Sequence, residues 1–375
     1  MKRNVKYLKA IVVTPRKKRS LRLIDVLKPD IDEIPDGRGV LVKVLQVGLD
    51  GTDKDIINAE YGNAPKGNNY LIIGHESFGV VEKVGKNVSE IKPGDFVGAT
   101  VRRPSNSLFD KVGMSDFTTD DVVFERGINL LHGFLTEYYV ESPDYLLKVP
   151  MGLKTVGVLL EPTSIVEKGI YQAFEAQERL KVWNPKKGAV IGAGSLGLLA
   201  ALILRLKGLE VTVFARTEPP FLKSDLVKAI GGHYLSIKKT SLNEASKKYG
   251  PFDIIFEASG YSPMVFESMK VLGKNGILIL SSVTSGNLQM EIETDKINMG
   301  FVLGNKLCFG TVNSNKSHFE LAVKDLSHAL LQYPGWLNRL LTHQIDGFDS
   351  KRIKDLFDGK TKELIKIFCK IASFS

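Results

Sequence analysis

The stretch Gly188–Lys207, GAVIGAGSLGLLAALILRLK, decides the fold. An apolar strand pattern over Ala189–Ile191 leads into a glycine-rich turn, and an apolar helix pattern over Leu196–Lys207 follows. The turn matches G-x-G-x-x-G, whose glycines allow a tight turn and let a pyrophosphate approach the free N–H groups of a helix start. The sequence therefore predicts a dinucleotide-binding turn, with the candidate cofactor-binding residues Gly192, Gly194, Ser195, Leu196 and Gly197.

Strands and helices alternate downstream of this turn. Further strands are predicted at Glu210–Ala215, Asp253–Glu257 and Gly276–Ser281, and helices at Leu226–Ile230 and Pro263–Leu272. Continuous apolar runs such as Ile277–Leu280 are typical of parallel strands that are covered on both faces. We expect an α/β unit over residues 161–310: a Rossmann-type, doubly wound parallel sheet that binds the cofactor.

The end of the second strand indicates which cofactor is bound. NAD enzymes usually place an acidic residue there, about 20 residues after the glycines, to hold the ribose hydroxyls. This chain has Arg216 and Thr217 at that point, and the first acid is Glu218. Arg216 and Thr217 are therefore the candidate contacts to a 2′-phosphate, and NADP is the predicted cofactor with NAD accepted as an alternative.

The N-terminal third has a different pattern. Short β-branched runs alternate with turn residues at Leu8–Val13, Val40–Val47, Gly79–Val84 and Asp95–Ala99, a pattern typical of a β-rich, barrel-like unit. A helix is predicted at Ser317–Gln332, and a mixed tail follows it. We expect residues 1–160 to form one domain that residues 311–375 complete.

Composition excludes several classes of protein. Hydrophobic residues make up 43% and charged residues 25% of the 375 residues, as in ordinary globular proteins, and no apolar run is long enough for a membrane span. Two cysteines, Cys308 and Cys369, exclude a disulfide scaffold, and we expect a cytoplasmic protein. The net charge is +9, but the basic residues are scattered along the chain. Their densest cluster, Arg16–Arg19, is predicted to be a turn. We expect no nucleic-acid partner and no membrane partner, since such a surface suits anionic cofactors.

Two short motifs carry candidate metal ligands. Gly74-His75-Glu76 follows a strand pattern at Leu71–Ile73, and Asp50-Gly51-Thr52-Asp53 occupies a turn. A single histidine is usually an ordinary core residue, but paired carboxylates beside it favour a metal site. At these motifs the sequence resembles the medium-chain zinc-dependent alcohol dehydrogenase superfamily. Within it, the chain is most similar to the archaeal glucose (aldose) 1-dehydrogenases, through segments at Arg102–Pro104, His132–Phe134, Asp144–Pro150, Glu161–Pro162, Glu167–Lys168 and Val312–Asn313.

The resemblance implies a GroES-like catalytic domain and one catalytic zinc per chain. Its ligands would be Asp50, His75 and Glu161, and Glu76 or a water molecule would complete the set. Asp50 stands where the family usually has cysteine, as in some halophilic members, and Zn²⁺ also accepts carboxylate oxygen. The four cysteines that commonly hold a structural zinc are absent after Arg103. We therefore expect no structural zinc and a lobe that is held by packing.

The resemblance also implies the substrate and the reaction. Glu125 matches a sugar-binding glutamate of the family. Asn313 matches an asparagine that lies beside the sugar and the nicotinamide, and Thr52 matches a hydroxyl-bearing residue near the metal. Glu76 and Glu161 also border the implied substrate site, and Asp50, Thr52, His75 and Glu76 form the implied catalytic group. A further sugar-contacting aspartate of the family is Ile165 here, which leaves the preferred sugar open.

The implied activity is oxidation of an aldose at C1 to the lactone, with hydride passing to the nicotinamide, in a homo-oligomer (a dimer or a tetramer). Two alternatives remain from the residues: a zinc-dependent dehydrogenase of another alcohol or polyol, and a non-catalytic nucleotide-binding regulator that has lost its metal.

Overall fold

A computed structural model describes residues 6–284, 286–359, 361 and 363–374. The strands are β1 Tyr7–Val13, β2 Arg22–Leu27, β3 Val40–Leu49, β4 Leu71–Ile72, β5 Glu76–Val84, β6 Phe96–Ala99, β7 Arg102–Arg103, β8 Phe124–Arg126, β9 Leu130–Leu131, β10 Tyr138–Glu141, β11 Leu146–Lys148, β12 Lys187–Ile191, β13 Glu210–Ala215, β14 His233–Ser236, β15 Phe252–Glu257, β16 Leu272–Leu280, β17 Leu307–Gly310, β18 His343–Asp346 and β19 Ile367–Lys370. The helices are α1 Gly51–Ile57, α2 Leu108–Lys111, α3 Leu160–Gln177, α4 Ser195–Leu206, α5 Leu222–Ala229, α6 Leu242–Tyr249, α7 Pro263–Val271, α8 Thr294–Gly304, α9 Lys316–Gln332 and α10 Ser350–Asp358.

The chain forms two compact units. Unit 1 contains residues up to Ser164 together with 313–327 and the segment from Leu340 onward, and unit 2 contains residues 165–312 and 328–339. Residues 328–339 thus group with unit 2, although the residues on both sides of them in the chain belong to unit 1.

Unit 1 is the β-rich part that the short strands predicted. Its largest sheet has the order β11-β6-β5-β3-β19-β18, and β10 also pairs with β3. Strand β3 is long because nine of its ten residues are buried, with only Lys43 partly exposed. The C-terminal strand β19 pairs antiparallel with β3, so that Cys369 lies opposite Val47. This pairing brings the last residues of the chain beside the carboxyl end of β3.

Branched aliphatic side chains form the core of unit 1. Val42, Val44 and Val47 of β3 are fully buried and pack with Ile73, Phe134 and their neighbours. Each such side chain contributes about 1.5–3 kcal/mol when it leaves water. This core fixes the end of β3, from which the site described below begins.

Unit 2 contains one six-stranded sheet with the order β14-β13-β12-β15-β16-β17, in which every neighbouring pair is parallel. The predicted Rossmann-type fold is therefore confirmed. The strand order reverses between β12 and β15, and ligands of such sheets bind at the carboxyl ends of the strands at that point. Strand β16 begins at Leu272, directly after α7, instead of at the predicted Gly276, because Leu272 already pairs with Phe252 of β15. Among the residues that the structure describes, no helix is both long and apolar enough to cross a membrane.

Candidate active site

Asp50 lies at the junction of β3 and α1. Its backbone is extended, and its side chain caps the helix by accepting hydrogen bonds from the backbone N–H groups of Thr52 (2.8 Å) and Asp53 (3.3 Å), both at Oδ1. Aspartate is a preferred residue at this position because its carboxylate satisfies N–H groups that the helix leaves unpaired. The cap therefore fixes the orientation of the Asp50 carboxylate at the end of β3.

His75 is placed by a left-handed glycine. Gly74 has φ of 85°, where a side chain would contact Leu135 and Val47, and the chain turns there from β4 towards β5. The His75 ring is 4% exposed. Its Nε2 lies 3.6 Å from Asp50 Oδ1, a separation too long for a hydrogen bond.

Asp53 contacts the other edge of the His75 ring, and the sequence analysis gave it no role. Its Oδ2 lies 3.6 Å from His75 Nδ1. The Asp53 carboxylate accepts hydrogen bonds from the N–H groups of Gly74 and Asp50, each 3.1 Å long. Metal-bound histidines are commonly oriented by a carboxylate on the nitrogen that does not bind the metal. Asp53 therefore favours the orientation in which Nε2 faces Asp50.

Glu76 is the first residue of β5 and lies opposite Gly48 of β3. A Cβ atom on Gly48 would overlap the Glu76 carboxylate and lie 3.0 Å from Lys366 Cε, so glycine provides the space for both side chains. The Lys366 ammonium contacts the Glu76 carboxylate in an ion pair that is almost completely buried. Sequence reasoning missed Lys366, because a lysine so far along the chain carries no local signal of this contact.

The donor set fits a divalent metal ion. One ligand atom each from Asp50, His75 and Glu76 lie within 4.8 Å of one another. Two ligands of one tetrahedral zinc are about 3.3 Å apart, from Zn–N and Zn–O distances of about 2.0–2.1 Å, which is close to the separation between His75 Nε2 and Asp50 Oδ1. Imidazole nitrogen and carboxylate oxygen are both ordinary zinc donors.

Glu161, near the start of α3, lies outside this three-residue group but is buried close to it. Burial is the main reason that the pKa of Glu161 is raised to about 8; the charges of Glu76 and Asp50 also raise this pKa, while His75 and Lys366 lower it. Burial likewise raises the pKa of Glu76 to about 7, although Lys366 lowers it. The carboxyl groups of Asp50, Glu76 and Glu161, of which the last two are buried, thus lie near the Lys366 ammonium, and a divalent cation would balance the remaining negative charge.

A second polar group consists of Arg102, Glu125 and Asn313. The Arg102 guanidinium donates to Glu125 Oε1 through Nη2 (2.7 Å) and Nε (3.2 Å). Asn313, whose φ is 59°, donates to the same oxygen through Nδ2 at 2.8 Å. Burial, together with the Glu125 charge, raises the pKa of the half-exposed Tyr61 phenol. The structure thus brings the two predicted sugar-binding residues together and adds Arg102, while Thr52 is partly exposed beside Asp50.

The glycine-rich turn of unit 2 has the geometry that its motif predicted. Gly192 has φ of 107°, and a Cβ atom there would lie 2.6 Å from the Ala258 carbonyl oxygen. A Cβ on Gly197 would overlap the Gly192 carbonyl, so this glycine allows α4 to pack against the turn. Gly194 caps α4 and faces open space. Ser195 and Leu196 begin the helix and are partly exposed, so their N–H groups can bind an anion.

Arg216 and Thr217 follow β13 directly, and both side chains are exposed. Two side chains of β14 hold their backbone in place. The Ser236 hydroxyl donates a hydrogen bond to the Arg216 carbonyl (3.1 Å), and the Tyr234 hydroxyl donates one to the Thr217 carbonyl (2.8 Å). Glu218 pairs with Lys239 at 3.7 Å. The guanidinium of Arg216 is therefore available to an anionic group at the end of the second strand.

The cysteine-free lobe is held by hydrogen bonds as well as by packing. The Asp110 carboxylate accepts from the hydroxyls of Ser107 and Thr118, both at 2.7 Å. The Asp120 carboxylate accepts from the backbone N–H groups of Asn106 (2.6 Å) and Ser107 (3.1 Å). Packing alone is therefore an incomplete description of this lobe, because carboxylates connect its two ends.

Comparisons with known proteins place the whole chain in one family. Residues 36–151 match the "Alcohol dehydrogenase GroES-like domain", and residues 154–368 match the "Glucose dehydrogenase C-terminus". A glucose 1-dehydrogenase of Methanocella arvoryzae is 41% identical over 370 residues, which is 98% of this chain and 100% of that protein. A glucose 1-dehydrogenase of Caldivirga maquilingensis is 39% identical over 338 residues, covering 89% of this chain and 92% of that protein.

A solved structure agrees with these matches. The glucose dehydrogenase of Haloferax mediterranei, in complex with NADP, Zn and gluconolactone, superposes with a TM-score of 0.86 at 30% identity, covering 98% of this chain and 100% of that one. The resemblance that the sequence motifs indicated is thereby confirmed. The chain belongs to the glucose dehydrogenase family of the medium-chain, zinc-dependent alcohol dehydrogenase superfamily.

Proposed function

We propose that this protein is a glucose (aldose) 1-dehydrogenase that oxidises the sugar at C1 to the aldonolactone and reduces NADP⁺. The observation that carries the proposal is the group of Asp50, His75 and Glu76, in which His75 and Glu76 are buried and one ligand atom of each residue lies within 4.8 Å of the others. Relatives that cover nearly the whole chain are named glucose 1-dehydrogenases. The Haloferax relative binds NADP, Zn and gluconolactone.

The proposed metal ligands are Asp50, His75 and Glu161, with Glu76 or a water molecule completing the set around one zinc ion per chain. When bound, zinc supplies Lewis acidity that lowers the pKa of a coordinated hydroxyl group. The cap of α1 orients the Asp50 carboxylate, and Asp53 lies against the opposite edge of the His75 ring, so both donors would be oriented before the ion binds. Lys366 offsets part of the negative charge that the carboxylates share.

The sugar is held by side chains of unit 1. Glu125 and Asn313 form one hydrogen-bonded pair that offers a carboxylate oxygen to sugar hydroxyls. The C1 hydroxyl must lose its proton as hydride leaves C1. Thr52, beside Asp50, is the proposed proton relay, and Glu76 is the proposed base.

The glycine-rich turn of unit 2 is the proposed cofactor site. The N–H groups at the start of α4 would bind the pyrophosphate, and Arg216 with Thr217 would bind the 2′-phosphate of NADP. NAD, which lacks that phosphate, is expected to bind more weakly. We therefore assign catalysis to unit 1 and binding of the cofactor phosphates to unit 2; Asn313 is a further proposed cofactor-binding residue.

A homo-oligomer, a dimer or a tetramer, is also proposed. Helix α8 of unit 2 carries three exposed apolar side chains: Met299 (57% exposed), Val302 (67%) and Leu303 (72%). Apolar residues that lie together on a surface commonly mark an interface. A cytoplasmic location remains our expectation, and the two cysteines, which are unpaired, agree with it.

The regulator alternative is disfavoured because the metal donors lie together, with His75 and Glu76 buried, although a carboxylate replaces the cysteine ligand. The test is NADP⁺ reduction with a panel of aldoses and of polyols, before and after removal of zinc by a chelator. Rapid turnover of aldoses that is lost with zinc and restored by its addition is expected. Preferential oxidation of polyols would replace the proposed substrate class.

A matched pair of variants tests the assignment of the site. His75→Ala should abolish turnover and lower the zinc content while the fold is retained in circular dichroism. His233→Ala, in an exposed position of unit 2, should change neither the turnover nor the zinc content. Full activity of His75→Ala would refute the proposed metal site.

A further inference from the structure

The two arginines at positions 102 and 103 lie on opposite faces of a small ribbon, the three-stranded sheet β7-β8-β9. Strands β7 and β8 pair antiparallel, with Arg102 opposite Glu125 and Arg103 opposite Phe124. Side chains alternate between the faces of a strand. Neighbouring arginines therefore enter different environments, and their roles can be separated.

Arg103 belongs to a closed structural cluster. Its Nη2 contacts Glu141 Oε2 at 2.5 Å, and Arg126 contacts the same oxygen at 2.8 Å. The Arg103 guanidinium also lies 4.1 Å from the centre of the Tyr145 ring. These contacts join β7, β8 and β10, so that this face of the ribbon supports the fold of unit 1.

Arg102 has a different geometry, because it contacts only one oxygen of its partner. Both of its hydrogen bonds, and the one from Asn313, end on Glu125 Oε1. Among the described residues, no donor reaches Glu125 Oε2. Arg102 and Glu125 have side chains that are only 9% and 6% exposed, so water screens their interaction little. One oxygen is fully used within the protein, and the other is left for a ligand.

We propose that Arg102 is a positioning residue that sets sugar specificity by holding the Glu125 carboxylate in a single orientation. The fixed Oε2 then accepts a hydrogen bond from one particular hydroxyl of the sugar. This inference rests on the proposed function, in which Glu125 binds the aldose. A site built to accept a hydrogen bond discriminates strongly against a substrate that lacks the hydroxyl, since the buried acceptor, here Glu125 Oε2, is then left without a donor.

The test compares Arg102→Met with the wild type on glucose and on a set of singly deoxygenated glucoses. The KM for glucose should rise about 10- to 100-fold in the variant, as expected for loss of a charge-assisted hydrogen bond. The kcat and the KM for NADP⁺ should stay within about twofold. One deoxy sugar should be a poor substrate of the wild type, and its disadvantage relative to glucose should disappear in Arg102→Met and in Glu125→Gln alike.

Two further variants separate positioning from folding. Arg102→Lys should recover part of the affinity, because an ammonium keeps the charge but cannot bind through both Nε and Nη2. Arg103→Met, on the opposite face, should lower the melting temperature and leave the deoxy-sugar pattern unchanged. If Arg102→Met fails to fold, the inference is tested by the KM values of Arg102→Lys for glucose and for the deoxy sugars.

An unchanged KM and deoxy-sugar pattern in the Arg102 variants would overturn the inference, as would an equal loss with glucose and with every deoxy sugar. Failure of the proposed function has a different signature, namely that the wild type itself oxidises no aldose.

Discussion

Lys366 and Glu76 are 290 positions apart in the chain and form an ion pair in which both side chains are 1% exposed. The pairing of β19 with β3 brings Lys366 to this position, one residue before the strand begins. Gly48 of β3 leaves room for both side chains. Removal of one partner from a buried pair costs about 3–5 kcal/mol, because the other charge stays buried without compensation.

Lys366→Met should therefore destabilise the zinc-free protein by several kcal/mol. The same change should strengthen zinc binding, because a positive charge beside the cation is lost. Calorimetric unfolding with chelator and with zinc measures both effects. Lys370→Met, a change to the partly exposed last residue of β19, is the control and should have little effect. Equal zinc-free stability of Lys366→Met and wild type would contradict the importance of the pair.

Gly48→Ala should displace the Glu76 and Lys366 side chains, because the new methyl group overlaps the carboxylate. Overpacking of this kind costs about 1–3 kcal/mol, and zinc affinity should fall with it. Gly300→Ala provides the contrast, since only Lys306 Nζ, at 3.9 Å, lies near the added Cβ in helix α8. That change should be neutral or stabilise the protein by up to about 1 kcal/mol. Denaturant titration measures the stability of both variants, and zinc competition assays measure their zinc affinity. A wild-type zinc affinity in Gly48→Ala would show that the Glu76 and Lys366 side chains can move freely.

Arg216→Ala should raise the KM for NADP⁺ and leave that for NAD⁺ nearly unchanged. A guanidinium–phosphate contact is charge-assisted and contributes about 1.5–3 kcal/mol, which corresponds to a preference of about 10- to 100-fold for NADP⁺ over NAD⁺. Steady-state kinetics with both cofactors tests this, with Lys228→Ala, an exposed lysine on α5, as the control. A wild-type preference for NAD⁺ would show that the interpretation of the second strand's end is wrong.

Glu141 should make stability depend on acid pH. Burial raises the pKa of Glu141, but Arg103 and Arg126 outweigh burial and lower the pKa from 4.5 to about 2. Its stabilisation is therefore fully present above about pH 5 and is lost as the pH falls towards 2. Glu141→Gln should lower the melting temperature strongly at pH 7, and the difference from wild type should shrink between pH 5 and pH 3.

Glu90→Gln is the matched control for this pH dependence. Glu90 also pairs with an arginine, Arg38, but this pair is exposed to solvent. Exposed pairs contribute little to stability, so the control should change the melting temperature only slightly at every pH. A Glu141→Gln effect that is the same at pH 3 and pH 7 would refute the electrostatic explanation.

Leu303→Glu should weaken self-association if α8 forms the contact between subunits, because a charge would replace an apolar side chain that is 72% exposed in the single chain. Light scattering after size exclusion should then give a smaller mass than for the wild type. Val182→Glu, at a position that is 85% exposed outside this helix, should leave the mass unchanged. A wild-type mass near 41.4 kDa would show that the protein is a monomer and would refute the proposed homo-oligomer.

The sequence was sufficient for features whose residues are close together in the chain. The glycine turn could be recognised because Gly192 and Gly197 are required by a local backbone path and by the packing of α4 against that turn. Asp50 and His75 could be identified because each lies in a short motif, Asp50-Gly51-Thr52-Asp53 or Gly74-His75-Glu76, that resembles a motif of the family. The alternating strands and helices likewise determined the parallel sheet of unit 2, since its connections are short and local.

Only the tertiary structure decided which distant groups meet. No local pattern indicates that Lys366 neutralises Glu76, because that contact depends on how β19 aligns with β3. The strand register of β7 with β8 likewise determines that Arg102, and not Arg103, contacts Glu125. A shift of one residue in a strand exchanges its two faces. The local spacing of residues therefore determined the kinds of chemical group in this protein, whereas the long-range pairing of strands determined the partner of each group.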